Sequence, residues 1–241
     1  MSGDRVLVTG GSLGIGAGIT ARLLDEGYGV VVLDVEEPEA QSDVEFHRVD
    51  LLDIDATRAV LDQVTSQHEI TRLVNNVGIV RPASAEETRL EDFADVVNLN
   101  ARSALLCVQA LLPVMRRRRE GRIVSITSRV VLGKELRTAY SASKGALAAM
   151  TRTWALEFAK DGITVNAVAP GPIGTDAFMI NNPPDSQRTQ DIVDGIPVGR
   201  LGTPDDVAQA VAFFLDGKSS FVTGQTLYMC GGLTIGLSKN D

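Results

Sequence analysis

The chain has three tyrosines, Tyr28, Tyr140 and Tyr228, and only Tyr140 has a lysine four residues on, Lys144. On a helix, positions i and i+4 share a face, so the phenol and the ammonium would reach toward one site. A free Tyr titrates at about pH 10, too high for a good base near neutrality. A fixed cation beside it stabilises the phenolate and brings that value toward working pH. Taken alone, the YxxxK spacing fits a coincidental surface pair equally well. Competing groups are few: two His, His47 and His68, and two Cys, Cys107 and Cys230, far apart and outside any CxxC. That excludes a disulfide scaffold and a Cys-rich zinc site and fits a reducing compartment. No metal-ligand set is read.

A second chemical signal opens the chain. Between a β-branched run, Arg5–Thr9, and a helical stretch lies Thr9-Gly10-Gly11-Ser12-Leu13-Gly14-Ile15-Gly16. Glycines here permit a tight turn and let backbone N–H groups approach a pyrophosphate at the positive end of the helix. The spacing is GxxxGxG, not the GxGxxG of the usual dinucleotide fingerprint. Asp34 ends the second strand 18 residues after Gly16. A carboxylate there accepts both ribose hydroxyls of NAD and repels the 2′-phosphate of NADP. No Arg or Lys stands in the loop, and Glu36 and Glu37 add negative charge, so NAD is the expected cofactor.

The same loop also matches GxSxG, the elbow of a hydrolase nucleophile at Ser12. That elbow follows several strands, whereas this one follows the first. Its base would have to be His47, within the third strand, or His68, at the end of a helix. Neither has the downstream position that fold gives its histidine, so the hydrolase reading fails on context.

These groups must be positioned by an alternation of strands and helices. Strands are expected at Arg5–Thr9, 30–33, 44–49, Arg72–Asn75, 123–127, 163–168 and 225–229. Helices are expected at 15–26, 57–67, 92–119 with a kink at Pro113, 139–160 and Pro204–Leu215. Such alternation implies an α/β fold, a Rossmann-like doubly wound parallel sheet of about seven strands with helices on both faces. No repeat or linker divides the chain, and residues 1–241 are expected to form a single domain. Residues 171–199 break the rhythm with Pro172, Pro183, Pro184 and Pro197, and a connection that long reads as a substrate lid.

The order of motifs resembles the short-chain dehydrogenase/reductase family over about the whole chain. The glycine loop looks like its TGxxxGxG. Asn76-Val77-Gly78 looks like its NAG, with Val where Ala is usual. Asn100, Ser128, Tyr140 and Lys144 match its catalytic tetrad, and Pro170-Gly171-Pro172-Ile173 followed by Thr175 looks like its PGxIxT segment. The resemblance implies that Tyr140 exchanges a proton with the substrate oxygen while Ser128 orients that oxygen. It implies that Lys144 binds the nicotinamide ribose and holds the Tyr value down, and that Asn100 orders a water linking Lys144 to solvent. Gly10, Ser12, Leu13, Gly14, Ile15, Gly16, Asp34, Asp50, Leu51, Asn76, Val77, Gly78, Tyr140, Lys144, Pro170, Gly171, Ile173 and Thr175 are the expected cofactor-binding positions. Asp50 would approach the adenine, and Ile173 and Thr175 would hold the carboxamide. Two departures stand out. Ser128 precedes Tyr140 by twelve residues where the family has thirteen, the place of Thr127, and Cys230 replaces a usual Asp. In its apolar strand context Cys230 reads as a small buried residue, not a nucleophile.

The 241 residues carry 23 Lys+Arg against 31 Asp+Glu, a net charge of −8, which argues against a nucleic-acid footprint. The four arginines at 116–119 read as a solvated helix end, where cations suit the helix dipole. No apolar run approaches the ~18 residues of a membrane span, no leader is read at the N-terminus, and a cytoplasmic protein is expected. Arg129, Lys134 and Arg137 share the loop after Ser128. They fit either an anionic substrate or ordinary solvated charge, while Phe178, Met179 and Ile180 offer apolar lid contacts. The expected activity is NAD-dependent interconversion of a secondary alcohol and a ketone. The alternatives are a 3-oxoacyl-thioester reductase or 3-hydroxyacyl dehydrogenase and a non-catalytic nucleotide-binding regulator. The family is typically tetrameric, which the resemblance carries over to this chain.

Overall fold

The structure, a computed structural model, describes residues 4–39 and 43–236; residues 1–3, part of the stretch on which the leader reading rests, lie outside it. Seven strands form one parallel sheet: β1 (Arg5–Thr9), β2 (Gly29–Asp34), β3 (Val44–Arg48), β4 (Arg72–Asn75), β5 (Gly121–Ile126), β6 (Ile163–Pro170) and β7 (Thr226–Met229). Their spatial order is β3-β2-β1-β4-β5-β6-β7. The central strands read as unbroken apolar runs because both faces are covered. On β1 and β2, Leu7, Val31 and Leu33 face one core, while Val6, Val8, Val30 and Val32 face the other.

Helices α1 (Gly14–Asp25) and α8 (Pro204–Leu215) cover the second face through Ile19, Leu23, Val207, Val211 and Phe214. Helices α2 (Ile54–Gln67), α3 (Leu90–Val97), α4 (Ser103–Arg118) and α5 (Thr138–Phe158) lie on the first, with Leu61, Leu106, Leu111, Trp154 and Phe158 at its centre. Each such side chain contributes roughly 1.5–3 kcal/mol on burial. Helix α2 begins three residues before the expected 57 because the Asp53 side chain caps it, accepting from Asp55 N and Ala56 N at 3.0 Å each.

The strand order creates the site. The chain runs outward from β1 to β3, then returns to place β4 on the other side of β1. Loops leaving the C-terminal ends of β1 and β4 therefore diverge and leave a crevice, the usual ligand position in open α/β sheets.

The long helix expected at 92–119 is interrupted elsewhere than at Pro113. Asn98–Arg102 forms a π-turn, in which Ser103 N donates to Asn98 O, and it separates α3 from α4. Pro113 sits inside α4 on its exposed side, where the carbonyl it leaves without a donor reaches water. Leu90–Arg118 has the length and hydropathy of a membrane span, yet 56% of its most apolar window is buried in the protein. It is a core element. The arginines at its C-terminal end are exposed, as a solvated helix end is, and they also pair with carboxylates: Arg116 and Arg119 reach Asp161, and Arg117 and Arg118 reach Glu69. Residues 171–199, expected as a long connection, hold two short helices, α6 (Asp176–Asn181) and α7 (Gln187–Asp194), capped by Thr175 and Ser186.

At the sheet edge, Glu45 on β3 gathers both histidines: His47 Nε2 lies 3.0 Å from Oε1 and His68 Nε2 2.7 Å from Oε2. Burial pushes the Glu45 carboxyl up, but hydrogen bonding and charge from His47 and His68 outweigh it, and the group sits below its ordinary value of 4.5. The stabilisation is therefore present above the unfolded-state value and is lost as pH falls through the folded one. Glu45→Gln is expected to cost about 0.5–1 kcal/mol near neutral pH. Thermal melts of both proteins at pH 7 and pH 3 should show the difference shrinking in acid; an equal difference at both would refute the linkage.

Candidate active site

The crevice is a cavity of about 870 Å³ running from the glycine loop to the start of α5. At its floor Gly10 leaves β1 with φ +65°, and its main chain lies so near the β4 loop that an added Cβ would stand 2.9 Å from Val77 Cα. Asn76 fastens this crossing by donating from Nδ2 to Gly10 O at 2.7 Å and to Thr9 O at 3.2 Å. Thr9 Oγ1 accepts from Asn76 N and Val77 N, and Thr20 Oγ1 donates to Gly11 O at 2.9 Å. Leu13, the residue before α1, provides no side-chain cap, and the first turn has no acidic residue. The N–H groups of that turn are left to an external acceptor, as a dinucleotide pyrophosphate requires.

Asp34 lies at one end of the cavity. Its Oδ2 accepts from Ser12 N at 3.0 Å and its Oδ1 from Val35 N at 2.7 Å, which docks the carboxylate against the loop. Asp50 and Leu51 line the same end, together with Glu36. Ser12, expected at the cofactor, is not a cavity residue: it is 3% exposed, its Oγ has no partner, and only its main chain engages Asp34. Leu13, Gly14, Ile15, Gly16, Asn76, Val77 and Gly78 line the middle, with Pro170, Gly171, Ile173 and Thr175 on the far wall. The glycine cradle, the uncapped helix start and the carboxylate together fit a nicotinamide dinucleotide.

Ser128, Tyr140 and Lys144 converge at the other end. Ser128 follows β5, its Oγ accepts from Val130 N at 3.3 Å and its hydroxyl acts to lower the Tyr140 value, whereas the Thr127 hydroxyl donates to Val168 O at 3.0 Å. That bond commits Thr127 to the sheet and leaves Ser128 as the hydroxyl facing Tyr140. Lys144 Nζ lies 5.7 Å from the Tyr140 ring centroid and donates to Ile126 O at 2.8 Å. Burial pushes the Lys144 ammonium down to about 8. Burial also pushes the Tyr140 phenol above its ordinary value, against the opposing pull of Ser128 and Arg137. The expectation that Lys144 holds Tyr140 down thus meets a different balance here: desolvation dominates both groups, and Lys144 is not among those lowering Tyr140.

Asn100 lies behind this end, not on it, at 1% exposure in the π-turn. Its Oδ1 accepts from Ile79 N at 2.8 Å, and its Nδ2 donates to Ile79 O and to Ser143 Oγ, each at 3.0 Å. One Oδ1 lone pair is left for a water. Ser143 in turn donates to Tyr140 O at 2.8 Å, so it ties the Asn100 turn to α5. Sequence reasoning missed Ser143, Thr9 and Thr20; the signal for Ser143 was its place three residues after Tyr140, on the same helix face. Of the apolar lid residues, Phe178 reaches the cavity, Met179 does not line it, and Ile180 is 79% exposed. Cys230 is buried, as expected, and Cys107 is pushed up to about 12 by burial, which leaves it unreactive.

A family model described as enoyl-(acyl carrier protein) reductase matches residues 10–234. The chain belongs to the short-chain dehydrogenase/reductase family. Within that family it is 37% identical over 241 residues to the (2S)-[(R)-hydroxy(phenyl)methyl]succinyl-CoA dehydrogenase subunit BbsD of Thauera aromatica, covering 95% of this chain and 96% of the relative. It is 35% identical over 247 residues to the 3-oxoacyl-[acyl-carrier-protein] reductase FabG of Thermotoga maritima, covering 98% and 99%. A Beutenbergia cavernae protein assigned as an NAD(P)-dependent gluconate 5-dehydrogenase, solved with NADP at low occupancy, superposes with a TM-score of 0.91 at 31% identity, covering 98% of each chain. This short-chain dehydrogenase/reductase is accordingly an oxidoreductase.

The cradle yields a direct test. At Gly16 an added Cβ would stand 1.8 Å from Gly10 O, an overlap the loop can relieve only by opening. Gly16→Ala is expected to destabilise by about 2 kcal/mol or more, read by urea unfolding. Gly145→Ala on α5 meets nothing within 4 Å and should be neutral or stabilising by up to about 1 kcal/mol. Equal stability of the Gly16→Ala variant and the parent would remove the steric account of the loop.

Proposed function

We propose that this chain is an NAD(H)-dependent oxidoreductase that interconverts a secondary alcohol and a ketone. The observation that carries the reading is a single cavity with Asp34 under a glycine cradle at one end and Ser128, Tyr140 and Lys144 at the other. A bound nicotinamide dinucleotide supplies the hydride acceptor or donor. In the oxidative direction the Tyr140 phenolate takes the hydroxyl proton of the alcohol; in reduction the phenol returns it to the ketone oxygen. Ser128 hydrogen-bonds that oxygen and holds it at the phenol. Lys144 places its charge beside the phenol and the ribose, and Asn100 positions the Ile79 main chain and the start of α5. Gly10, Leu13, Gly14, Ile15 and Gly16 approach the pyrophosphate; Asp50, Leu51, Asn76, Val77, Gly78, Pro170, Gly171, Ile173 and Thr175 complete the cofactor wall.

NAD is favoured by the Asp34 carboxylate, by Glu36 beside it, and by Leu13 in a loop without a cation. The relatives make this the point to test, since two solved neighbours carry NADP. A second reading has its own support. BbsD and FabG, by their names, act on a coenzyme A thioester and on an acyl-carrier-protein thioester, which favours a 3-oxoacyl-thioester reductase or 3-hydroxyacyl dehydrogenase as the specific activity. We further read residues 171–199 as a lid that brings Phe178 onto the substrate, and two buried free thiols as fitting the cytoplasm. Exposed Leu156 on α5 and Phe213 on α8 favour burial against further copies, as a homotetramer would provide.

Tyr140→Phe is expected to lower kcat by about 10³-fold or more with an unchanged circular dichroism spectrum; full retained turnover would sink the assignment of Tyr140 as the proton-exchanging group. Because Tyr140 acts as a base in oxidation and its value is raised, alcohol oxidation should climb with pH through the alkaline range while ketone reduction falls. Asp34→Ser should shift the ratio of kcat/KM toward NADP by about tenfold or more. A parent enzyme that already prefers NADP would overturn the cofactor assignment alone.

A further inference from the structure

The cavity is electrically lopsided. Its cofactor end carries Asp34, Glu36 and Asp50, whereas its substrate end carries Arg81, Arg129 and Lys134. Arg81 lies 3.7 Å from Asp92. Among the described residues the other two have no such partner. Partial burial lowers the Lys134 value, and the like charges of Arg129 from the turn after β5, Arg137 from the start of α5 and Arg188 from α7 lower it further. Among the described residues none of these four forms an ion pair. Two carboxylates stand near: Asp176, at the first position of α6 on the cavity wall, and Glu135, beside Lys134 in the chain. Neither is within ion-pairing reach of the four. A chain of net charge −8 thus gathers uncompensated positive charge from three separate elements at the mouth of its site.

The loop that presents Lys134 is a built one. Gly133 has φ +110° and Leu136 φ +58°, and the second is a left-handed conformation that a branched side chain rarely adopts. The loop is pinned to the chain after β4, where Ala83 N donates to Leu136 O at 3.3 Å. Arg137 Nη1 also donates to Leu136 O, at 2.8 Å. Such strain persists only where surrounding structure enforces it, and it concentrates at ligand clamps. Like charges converging at a partly desolvated wall repel one another unless an anion arrives between them.

We infer that the substrate carries an anionic group, a carboxylate or a phosphate, held by Arg129 and Lys134 while its carbinol or carbonyl meets Ser128 and Tyr140. This deepens, and rests on, the oxidoreductase reading above. Arg129 offers a planar donor fork to such a group, and Lys134 a mobile point charge. Arg137 and Arg188 add long-range attraction from the rim.

The test compares substrates that share one carbinol: 3-hydroxybutyrate, its methyl ester, its coenzyme A thioester and its N-acetylcysteamine thioester. Preference for the free acid over the methyl ester assigns the anion to a carboxylate near the carbinol. Preference for the coenzyme A over the N-acetylcysteamine thioester assigns it to a phosphate. In either case the anionic member should lead by about tenfold in kcat/KM, and its KM should rise as ionic strength goes from about 0.01 M to about 0.15 M. Lys134→Met, and Arg129→Leu combined with it, should raise KM for the anionic member roughly tenfold relative to KM for the neutral one. Equal use of anionic and neutral members, or variants that shift both KM values alike, would overturn the inference while the oxidoreductase reading stands. Absence of turnover across the panel with either nicotinamide cofactor would overturn both.

Discussion

The Lys144 ammonium is almost completely enclosed, and its Nζ makes a hydrogen bond to one main-chain carbonyl, that of Ile126, at 2.8 Å. A buried cation without a carboxylate is costly, and the fall of its value to about 8 expresses that cost. Much of the local architecture exists to hold this group where it is. Strand β5 must end at Ile126 to aim a free carbonyl at it. Gly78 leaves these groups their room, since a Cβ there would stand 3.0 Å from Asn100 Oδ1 and 3.3 Å from Lys144 Nζ and would press on both. The π-turn must bring Asn100 inward so that its amide can clamp Ile79. An α-helix through Asn98–Arg102 would rotate that side chain away by part of a turn, and π-bulges of this kind are common at functional sites.

The same cost explains why the two halves of the site need one another. Desolvation raises Tyr140 and lowers Lys144, so both groups are driven toward their neutral forms. A neutral phenol is the form that gives a proton to a ketone oxygen, and oxidation needs the phenolate. Ser128 and Arg137 bias the phenol back toward ionisation. Arg137 therefore belongs both to the cationic rim and to the electrostatics of the tyrosine.

Much of this could be read from residue order, and the reason is locality. The glycine loop, Asp34 at a strand end, and Tyr140 with Lys144 each depend on spacing within one or two elements, and their backbone context follows from apolar periodicity. The seven strands were legible for the same reason. What escaped depends on atoms brought together from distant segments. The π-turn at Asn98–Arg102 has no composition signature, whereas Pro113 has a strong one, and the visible signal pointed to the wrong break. Ser128 and Thr127 differ only in whether Val168 lies opposite, a fact of β5–β6 register. The helices at 176–181 and 187–194 are short and Pro-flanked, so their caps, Thr175 and Ser186, were the available clue.

Thr175 connects these threads. Its Oγ1 accepts from Phe178 N at 3.3 Å and so starts α6, the helix that brings Phe178 to the cavity. The same side chain packs over Gly14, where a Cβ would stand 3.3 Å from Thr175 Cγ2. One residue thus touches both the cradle of the cofactor end and the first turn of the segment over the substrate end. The contact is close-packed, with little free volume between the cradle and the start of α6. The cofactor end and the segment over the substrate end are therefore built against each other at a single side chain, and a substitution at Thr175 touches both.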